Sequence, residues 1–184
     1  MKRSTTARIL RVNHGGEHGA ISIYRAQIVL AAWRCPELLP FLKETLGHEV
    51  DHRARFAALM PARNGAPCRL MWLWGLGGGV LGGLTGLVGR QAVMVCTEAV
   101  ERAVHRHLEH QLHYLDPLDS EAAAVIRAIQ VEELQHLSFA EQHVGRRTGL
   151  SRMLDGSITL LTELLIWLST QGDSTRLARD LAQA

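Results

Sequence analysis

The sequence predicts an all-α protein organised as a four-helix bundle, and three observations support this prediction. The short pattern Glu-x-x-His occurs twice, in HEVDH and in EELQH. The interval of 32 residues between Glu17 and Glu49 is repeated between Glu101 and Glu133. Apolar residues recur around these positions in steps of three and four, which is the spacing of one helix face. In the second predicted helix this core-facing stripe is Leu42, Thr45, Glu49, His52, Phe56 and Leu59. Four helices joined by short turns would each carry one such position, and the second half of the chain would repeat the first.

The first two helices are predicted before the first long turn. After a frayed tail at residues 1–8, the first helix runs from about Ile9 to Trp33. Pro36 ends it, because proline interrupts a helix. The second helix begins after this proline and continues to about Met60, where a stretch with two prolines and an Asn-Gly pair breaks the chain.

Three glycines lie next to Glu17 inside the first predicted helix. Gly15, Gly16 and Gly19 each cost about 1 kcal/mol relative to alanine in a helix. A close approach of a ligand or of another helix would explain glycine at these positions.

Residues 71–89 form a stretch of 19 residues without a charge, bracketed by Arg69 and Arg90. Its length meets the lower range for a membrane span, but eight of its residues are glycine, which weakens a helix. Three interpretations stay open: a span, a buried helix that packs closely in the core, or a segment lying in the membrane interface. Trp72 and Trp74 at one end favour the interface. The segment separates the two repeats, where a bundle can place its long crossover.

The third and fourth helices of the bundle follow this segment. The third is predicted over about residues 90–115, and an Asp-Pro pair stops it. Asp119 or Ser120 can cap the fourth helix, which runs to about Gly145. A last helix, from about Gly156 to Gln171, is apolar enough to pack on the bundle or to face a membrane.

Charged side chains occupy the middle of the four predicted core faces. Residues i and i+3 share a helix face, so each Glu-x-x-His pair can reach one point in the bundle centre. A buried glutamate is costly unless it is paired or binds a metal. Solvated surface charges are the alternative, but the repeated spacing favours a metal site. The predicted ligands are Glu17, Glu49, His52, Glu101, Glu133 and His136.

Two helices that each give a Glu and two that each give Glu-x-x-His are typical of ferritin-like di-iron bundles. Carboxylate and imidazole ligands without a thiolate suit iron or manganese better than structural zinc. Two such ions can bind and reduce O₂, so hydroxylation, desaturation or ferroxidation is the expected chemistry.

Several polar residues near these ligands have open roles. Tyr24 lies two turns after Glu17 on the same face, where its phenol would bond a ligand, line a substrate channel or simply fill the core. Glu98 is either a competing ligand or base, or the surface partner of Arg102.

The third predicted helix is rich in histidine. His105 and His107 are candidates for orienting Glu101 or a neighbouring histidine through hydrogen bonds. The other histidines of this helix are expected to be solvated.

Composition limits the class of protein. With 184 residues the chain is expected to be a single ferritin-like di-iron domain over 1–184. A net charge of +2 gives no reason to expect nucleic acid as a partner. The three cysteines form no Cys-x-x-Cys and are expected to be reduced thiols. The N-terminus carries no secretory signal pattern.

Four motifs together resemble the demethoxyubiquinone hydroxylase family: RVNHGGEHGAISIYRAQ (11–27), HEVDHRARF (48–56), CTEAVERAVHRH (96–107) and EELQHLSFAE (132–141). The resemblance implies a di-iron monooxygenase whose ligands are the six residues named above. It also implies a peripheral membrane protein that reaches a polyprenyl quinone through a hydrophobic segment, here 71–89.

The chain departs from the family pattern at two positions. His18 stands where the family usually has Tyr, and Leu108 stands where it usually has a second Tyr, while His107 is retained. Tyr24 and His107 are the expected catalytic side chains.

The resulting hypothesis is a hydroxylase of a demethoxy-polyprenyl quinol that uses two iron ions, O₂ and two electrons from a donor such as NADH. It is expected peripherally on the cytoplasmic side of the inner membrane. A homo-oligomer or a complex with a biosynthetic partner stays open. The alternatives are a related di-iron oxidase acting on another quinone or lipid, and a non-catalytic quinone- or lipid-binding protein.

Overall fold

The computed structural model describes residues 4–145 and 156–160, together with positions 162, 164, 167 and 179. Within these residues all regular structure is helical, which confirms the predicted all-α class. The main helices are α1 (Thr5–Arg34), α2 (Leu39–Leu59), α3 (Met71–Val88), α4 (Arg90–Leu115) and α5 (Ser120–His143), with short 3₁₀ turns at Pro36–Leu38 and Pro61–Arg63. Residues 156–160 are also helical; much of the predicted last helix, and the ends of the predicted domain 1–184, lie outside the described residues.

Side-chain caps set two of the helix starts. The Ser4 hydroxyl accepts a hydrogen bond from the Ala7 amide at 3.2 Å, so α1 begins at Thr5 and not at the predicted Ile9. The expectation of a frayed tail is therefore wrong from residue 4 onward. The Asp119 carboxylate accepts from the Ala122 amide at 3.1 Å, which confirms it as the cap of α5.

The four long helices run up, down, down and up. Ile9 and Leu10 at the start of α1 share a core cluster with Leu59 at the end of α2 and Leu115 at the end of α4. Helices α2 and α4 are therefore each antiparallel to α1. In the same cluster Ala122, near the start of α5, joins Leu115, so α5 is antiparallel to α4. This order needs one long crossover, which is characteristic of ferritin-like bundles.

Two apolar clusters close the bundle at either end of a polar centre. One contains Phe56, Leu108 and Ile129 among others, and the second contains Leu42, Met94 and Ala31. Every buried residue of α2 belongs to its predicted stripe: Leu42, Thr45, Glu49, His52, Phe56 and Leu59. The spacing of three and four thus identified the core face of this helix in full.

Helix α3 is the crossover, and it packs parallel to α1 through a row of glycines. Gly78 lies against Gly19, Gly82 against Ile23, and both helices advance by four residues between these contacts. A backbone can approach this closely only where no Cβ intervenes. The interpretation of 71–89 as a closely packed helix therefore holds for this face.

The indole of Trp74 fills the space left by the glycines of α1. A Cβ on Gly15 would lie 2.8 Å from its Nε1, and a Cβ on Gly19 would lie 3.1 Å from its Cε3. This confirms that another helix approaches α1 at these glycines. Trp74 is only 3% exposed and so does not support the interface interpretation, whereas Trp72 is 61% exposed and does.

The opposite face of α3 is apolar and exposed, with Leu76, Val80, Leu84 and Leu87 each more than half accessible. Among the described residues, Met71–Val88 is the one helix long and apolar enough to cross a membrane, with a mean hydropathy of 1.3. Only 28% of it is buried in the bundle. This exposed face is consistent with the membrane interface and is weak evidence for a span.

Two adjacent glycines of α3 are expected to respond oppositely to alanine. A Cβ on Gly82 would overlap the Ile23 carbonyl oxygen, whereas a Cβ on Gly83 would meet nothing within 4 Å. We expect Gly82→Ala to lower the free energy of unfolding by at least ~1–3 kcal/mol through overpacking. Gly83→Ala should raise it by up to ~1 kcal/mol through helix propensity. Urea unfolding of both variants checks this, and equal effects would contradict the packing of α3 on α1.

Candidate metal centre

The six predicted ligands come together in the middle of the bundle. Helices α1 and α4 each contribute one glutamate, and helices α2 and α5 each contribute one Glu-x-x-His pair. All six are buried, with at most 5% of any residue exposed: Glu17, Glu49, His52, Glu101, Glu133 and His136. The 32-residue repeat therefore does place four positions at one level of the bundle.

The donor atoms form two overlapping groups, each within 4.8 Å of one another. The first group, called the His52 site, contains Glu17, Glu49, His52 and Glu133. The second group, called the His136 site, contains Glu49, Glu101, Glu133 and His136. Glu49 and Glu133 belong to both, which is the geometry that bridging carboxylates need.

The unsatisfied atoms of this cluster test whether it fits metal ions. Glu49 Oε1, His52 Nδ1, Glu133 Oε2 and His136 Nδ1 are buried without a hydrogen-bond partner. Each such atom costs about 1–3 kcal/mol if nothing replaces its lost hydration. Oxygen and imidazole donors aimed at shared points suit iron or manganese. The residues therefore fit the pair of ions that the sequence predicted.

Burial and crowding of like charges make the carboxylates hold protons when no cation is present. Burial raises the pKa of Glu17 from its ordinary value of 4.5 to about 7. Burial and then the Glu133 charge raise the pKa of both Glu49 and Glu101 well above that value. Divalent cations would take the place of these protons and remove the repulsion.

Glu133 is the carboxylate that stays ionised. Burial opposes this, but the adjacent imidazoles of His136 and His52 outweigh it and lower the pKa of Glu133 below its ordinary value. The same contacts act on the imidazole: against the effect of burial, Glu133 and Glu17 raise the pKa of His52 to about 9. His52 Nδ1 lies 3.2 Å from Glu133 Oε1, and His136 Nδ1 lies 3.4 Å from Glu133 Oε2.

The structure places Tyr24 against one of the predicted ligands. Its hydroxyl donates a hydrogen bond to Glu101 Oε1 at 2.5 Å, and the residue is 1% exposed. Burial, together with the Glu101 charge, raises the pKa of the phenol. Tyr24 therefore both fills the core and bonds a ligand, while its part in catalysis stays a prediction.

His107 and Leu108 lie on the wall of a cavity of about 60 Å³ that the four clustered glutamates also line. His105 instead lies 3.4 Å from Glu109, on the next turn of α4. Glu98 pairs with Arg102, as one sequence alternative held, yet Glu98 is buried (1% exposed) and not at the surface.

Sequence analysis missed two residues that contact the imidazoles. Glu132 Oε2 lies 3.1 Å from His52 Nε2, and His48 Nδ1 lies 2.9 Å from His136 Nε2. Each directly precedes a predicted ligand glutamate, so it is turned toward the neighbouring helix. A polar residue before the Glu of both patterns was the available sequence signal.

An apolar groove of about 360 Å³ runs between α1 and α3 and includes positions 162 and 164. It shares three wall residues with the small cavity beside the glutamates: Gly16, Ala20 and Val100. The groove and the small cavity therefore adjoin each other at these three residues.

Comparisons with known proteins agree with the motif resemblance. The family model described as "Ubiquinone biosynthesis protein COQ7" matches residues 4–169. The chain is 31% identical over 174 residues to the "NADPH-dependent 3-demethoxyubiquinone 3-hydroxylase, mitochondrial" of Dictyostelium discoideum, covering 93% of this chain and 79% of that protein. It is 34% identical over 162 residues to the "3-demethoxyubiquinol 3-hydroxylase" of Rhodospirillum rubrum, covering 88% and 76%.

The human protein named "NADPH-dependent 3-demethoxyubiquinone 3-hydroxylase, mitochondrial" is 31% identical over 173 residues, which is 92% of this chain and 79% of that protein. The family match extends across all five main helices and all six clustered side chains. On these grounds the chain belongs to the family of the ubiquinone biosynthesis protein COQ7.

Proposed function

We propose that this chain is a ferritin-like di-iron monooxygenase that hydroxylates the ring of a demethoxy-polyprenyl quinol in ubiquinone biosynthesis. The observation that carries the proposal is the pair of four-residue donor groups sharing Glu49 and Glu133. The names of the relatives, which are hydroxylases of demethoxyubiquinone or demethoxyubiquinol, support the choice of substrate.

The reaction consumes one O₂, two electrons and two protons. One oxygen atom enters a ring C–H bond as the new hydroxyl, and the other leaves as water. Two iron ions held by the six ligands would supply the reduction of O₂ that this requires. Reduced nicotinamide nucleotide, NADH or NADPH, supplies the electrons, and the names of two of the relatives specify NADPH.

The chain's own residues position the reactants and move protons. Tyr24 fixes the Glu101 carboxylate in one orientation, since its hydroxyl bonds Oε1 at 2.5 Å. His107 places an imidazole on the cavity wall beside Glu101, where it would exchange a proton with a ring hydroxyl brought to that wall. Leu108 supplies apolar surface there and the buried centre excludes bulk water.

The apolar groove suits the polyprenyl tail and would bring the ring to the wall that the groove shares with the small cavity beside the glutamates. The groove is lined almost entirely by apolar residues of α1 and α3. Its mouth adjoins the exposed apolar face of α3, which would lie on the cytoplasmic side of the inner membrane as a peripheral contact. Flotation of the protein with liposomes tests this contact, and a protein that stays with the soluble fraction would contradict it.

Gly16→Leu is expected to block the passage from groove to centre. Gly16 lines both spaces, and a Cβ there would meet nothing within 4 Å, so the added side chain starts without a clash and extends into the space between them. We expect kcat/KM for the quinol to fall more than about tenfold, as for other misplacements near a reaction centre, with the iron content unchanged. Gly83→Leu is the matched control, since Gly83 is equally open and lines neither space. Equal activity of the two variants would contradict the proposed passage.

The deciding experiment combines metal analysis with quinone profiling. Purified protein should hold about two irons per chain, the number such ligand sets bind. It should restore ubiquinone synthesis in a bacterial strain that lacks its own hydroxylase. Stoichiometric zinc in place of iron would overturn the metal assignment. Accumulation of the demethoxy precursor despite a full iron site would shift the assignment to another quinone or lipid.

A further inference from the structure

His52 and His136 each turn Nδ1 toward the glutamate cluster, and their Nε2 atoms contact chemically different groups. His52 is contacted at Nε2 by the Glu132 carboxylate, and His136 is contacted at Nε2 by the His48 imidazole. The two supports occupy equivalent places in the repeat, because each immediately precedes the ligand glutamate of the opposite Glu-x-x-His pair. The His52 site and the His136 site can therefore be compared directly, because they differ in the residue type at an equivalent position.

The group that contacts Nε2 of His52 is the carboxylate of Glu132. Glu132 Oε2 lies 3.1 Å from Nε2, and Glu132 Oε1 accepts a hydrogen bond from Arg55 at 3.4 Å. With a cation on Nδ1, Nε2 must carry the ring proton and donate it to this carboxylate. An anionic acceptor makes the imidazole a stronger donor toward a metal and fixes its orientation.

The group that contacts Nε2 of His136 is the imidazole of His48. His48 Nδ1 lies 2.9 Å from Nε2, and the two rings are stacked with their centroids 5.2 Å apart. Phe41 meets the His136 ring edge-on at 6.4 Å. When Nε2 donates, His48 accepts through a neutral nitrogen, which polarises the ligand less than a carboxylate does.

A hydrogen bond from Tyr24 lowers the donor strength of a second residue of the His136 site, the carboxylate of Glu101. Glu101 belongs only to the His136 site, and Tyr24 donates a 2.5 Å hydrogen bond to its Oε1. That bond withdraws electron density from one of the carboxylate oxygens offered to the metal. The charge behind His52 and the hydrogen bond on Glu101 thus act in the same direction.

We propose that the two metal positions differ in affinity, the His52 site filling first, and that Glu132 and His48 are the positioning residues that set this order. The inference rests on the proposed two-metal function and adds to it an ordered assembly of the centre. The His136 site then holds the more weakly bound ion.

Manganese(II) alone is a suitable probe, because an isolated ion and a coupled pair have different electron paramagnetic resonance spectra. The metal-free full-length chain is titrated without oxygen, and free Mn²⁺ gives both dissociation constants. We expect an isolated-ion spectrum at one equivalent and a coupled pair at two, with constants that differ by more than about tenfold, the lower end of such outer contacts.

Two matched pairs of variants assign the order. His136→Ala should keep the tight step within about threefold, whereas His52→Ala should weaken it more than about tenfold. Glu132→Gln should weaken the tight step by about 10–100-fold, and His48→Glu should strengthen the weak step by about tenfold or more. Glu44→Gln, an exposed carboxylate on α2, serves as the control and should change neither step.

The outcomes separate this inference from the proposed function. Two steps of equal affinity, or loss of the tight step in His136→Ala, would overturn the ordered assembly while leaving a two-metal centre in place. A wild-type chain that binds fewer than two ions would overturn the proposed function itself. Circular dichroism checks folding, and if Glu132→Gln does not fold, the gain of affinity in His48→Glu decides the inference.

Discussion

Glu133→Ala is expected to release both metal ions and to abolish hydroxylation while the helices stay formed. Glu133 belongs to both donor groups. Its two carboxylate oxygens lie 3.2 Å from His52 Nδ1 and 3.4 Å from His136 Nδ1. Its removal therefore affects the two sites at once. We expect the iron content to fall from about two per chain toward zero and activity to fall by more than about 100-fold. Metal analysis and a turnover assay on the same preparation check this.

The control for this variant is Glu141→Ala, which removes an exposed carboxylate from the same helix. It should keep the full iron content and wild-type activity. Retention of one tightly bound iron in Glu133→Ala, or near-normal turnover, would contradict the role of Glu133 as a shared ligand.

The metal-free protein is expected to lose stability as the pH rises from about 5 to 9. The pKa of Glu17 is raised from 4.5 to about 7, mainly by burial. An acid with a raised pKa binds its proton more tightly in the folded state, so its stabilisation is complete below 4.5 and is lost as the pH rises through 7. This loss is on the order of 3 kcal/mol, from about 1.4 kcal/mol for each unit of pKa.

His52 acts in the same direction at higher pH. Its pKa is raised from 6.5 to about 9, so its stabilisation is complete below 6.5 and is lost as the pH rises through 9. Glu133 has a lowered pKa and acts oppositely, since its stabilisation is lost as the pH falls below its ordinary value of 4.5. The maximum stability of the metal-free chain should therefore lie on the acidic side of neutrality.

Urea unfolding of metal-free protein at pH 5.5 and pH 8 measures this difference. Glu17→Gln should flatten the pH dependence below 7, because the amide cannot ionise, whereas Glu44→Gln should not. Added Mn²⁺ should remove most of the loss at pH 8 by replacing the protons. A metal-free chain that is more stable at pH 8 would contradict the picture of crowded, buried carboxylates.

Local patterns in the sequence predicted the helices and the polar centre well. The stripe of α2 was correct at every buried position, because helix periodicity alone decides which side chains share a face. The repeated interval of 32 residues brought Glu17, Glu49, Glu101 and Glu133 to one level. The start of α1 was misplaced because the Ser4 cap outweighs the weak apolar pattern of the first residues.

The tertiary structure decided what depends on the contacts between helices. Sequence alone determined an all-α bundle with two Glu-x-x-His pairs. It also indicated that a ligand or another helix approaches the glycines beside Glu17 closely. Only packing showed that the approaching group is the indole of Trp74 from α3, which is buried against α1 and not exposed toward a membrane. Only packing also paired Glu132 with His52 and His48 with His136, which are 80 and 88 residues apart. The physical reason is that periodicity specifies which face of a helix is buried, whereas the rotation and height of its neighbour select the atom that each polar side chain meets.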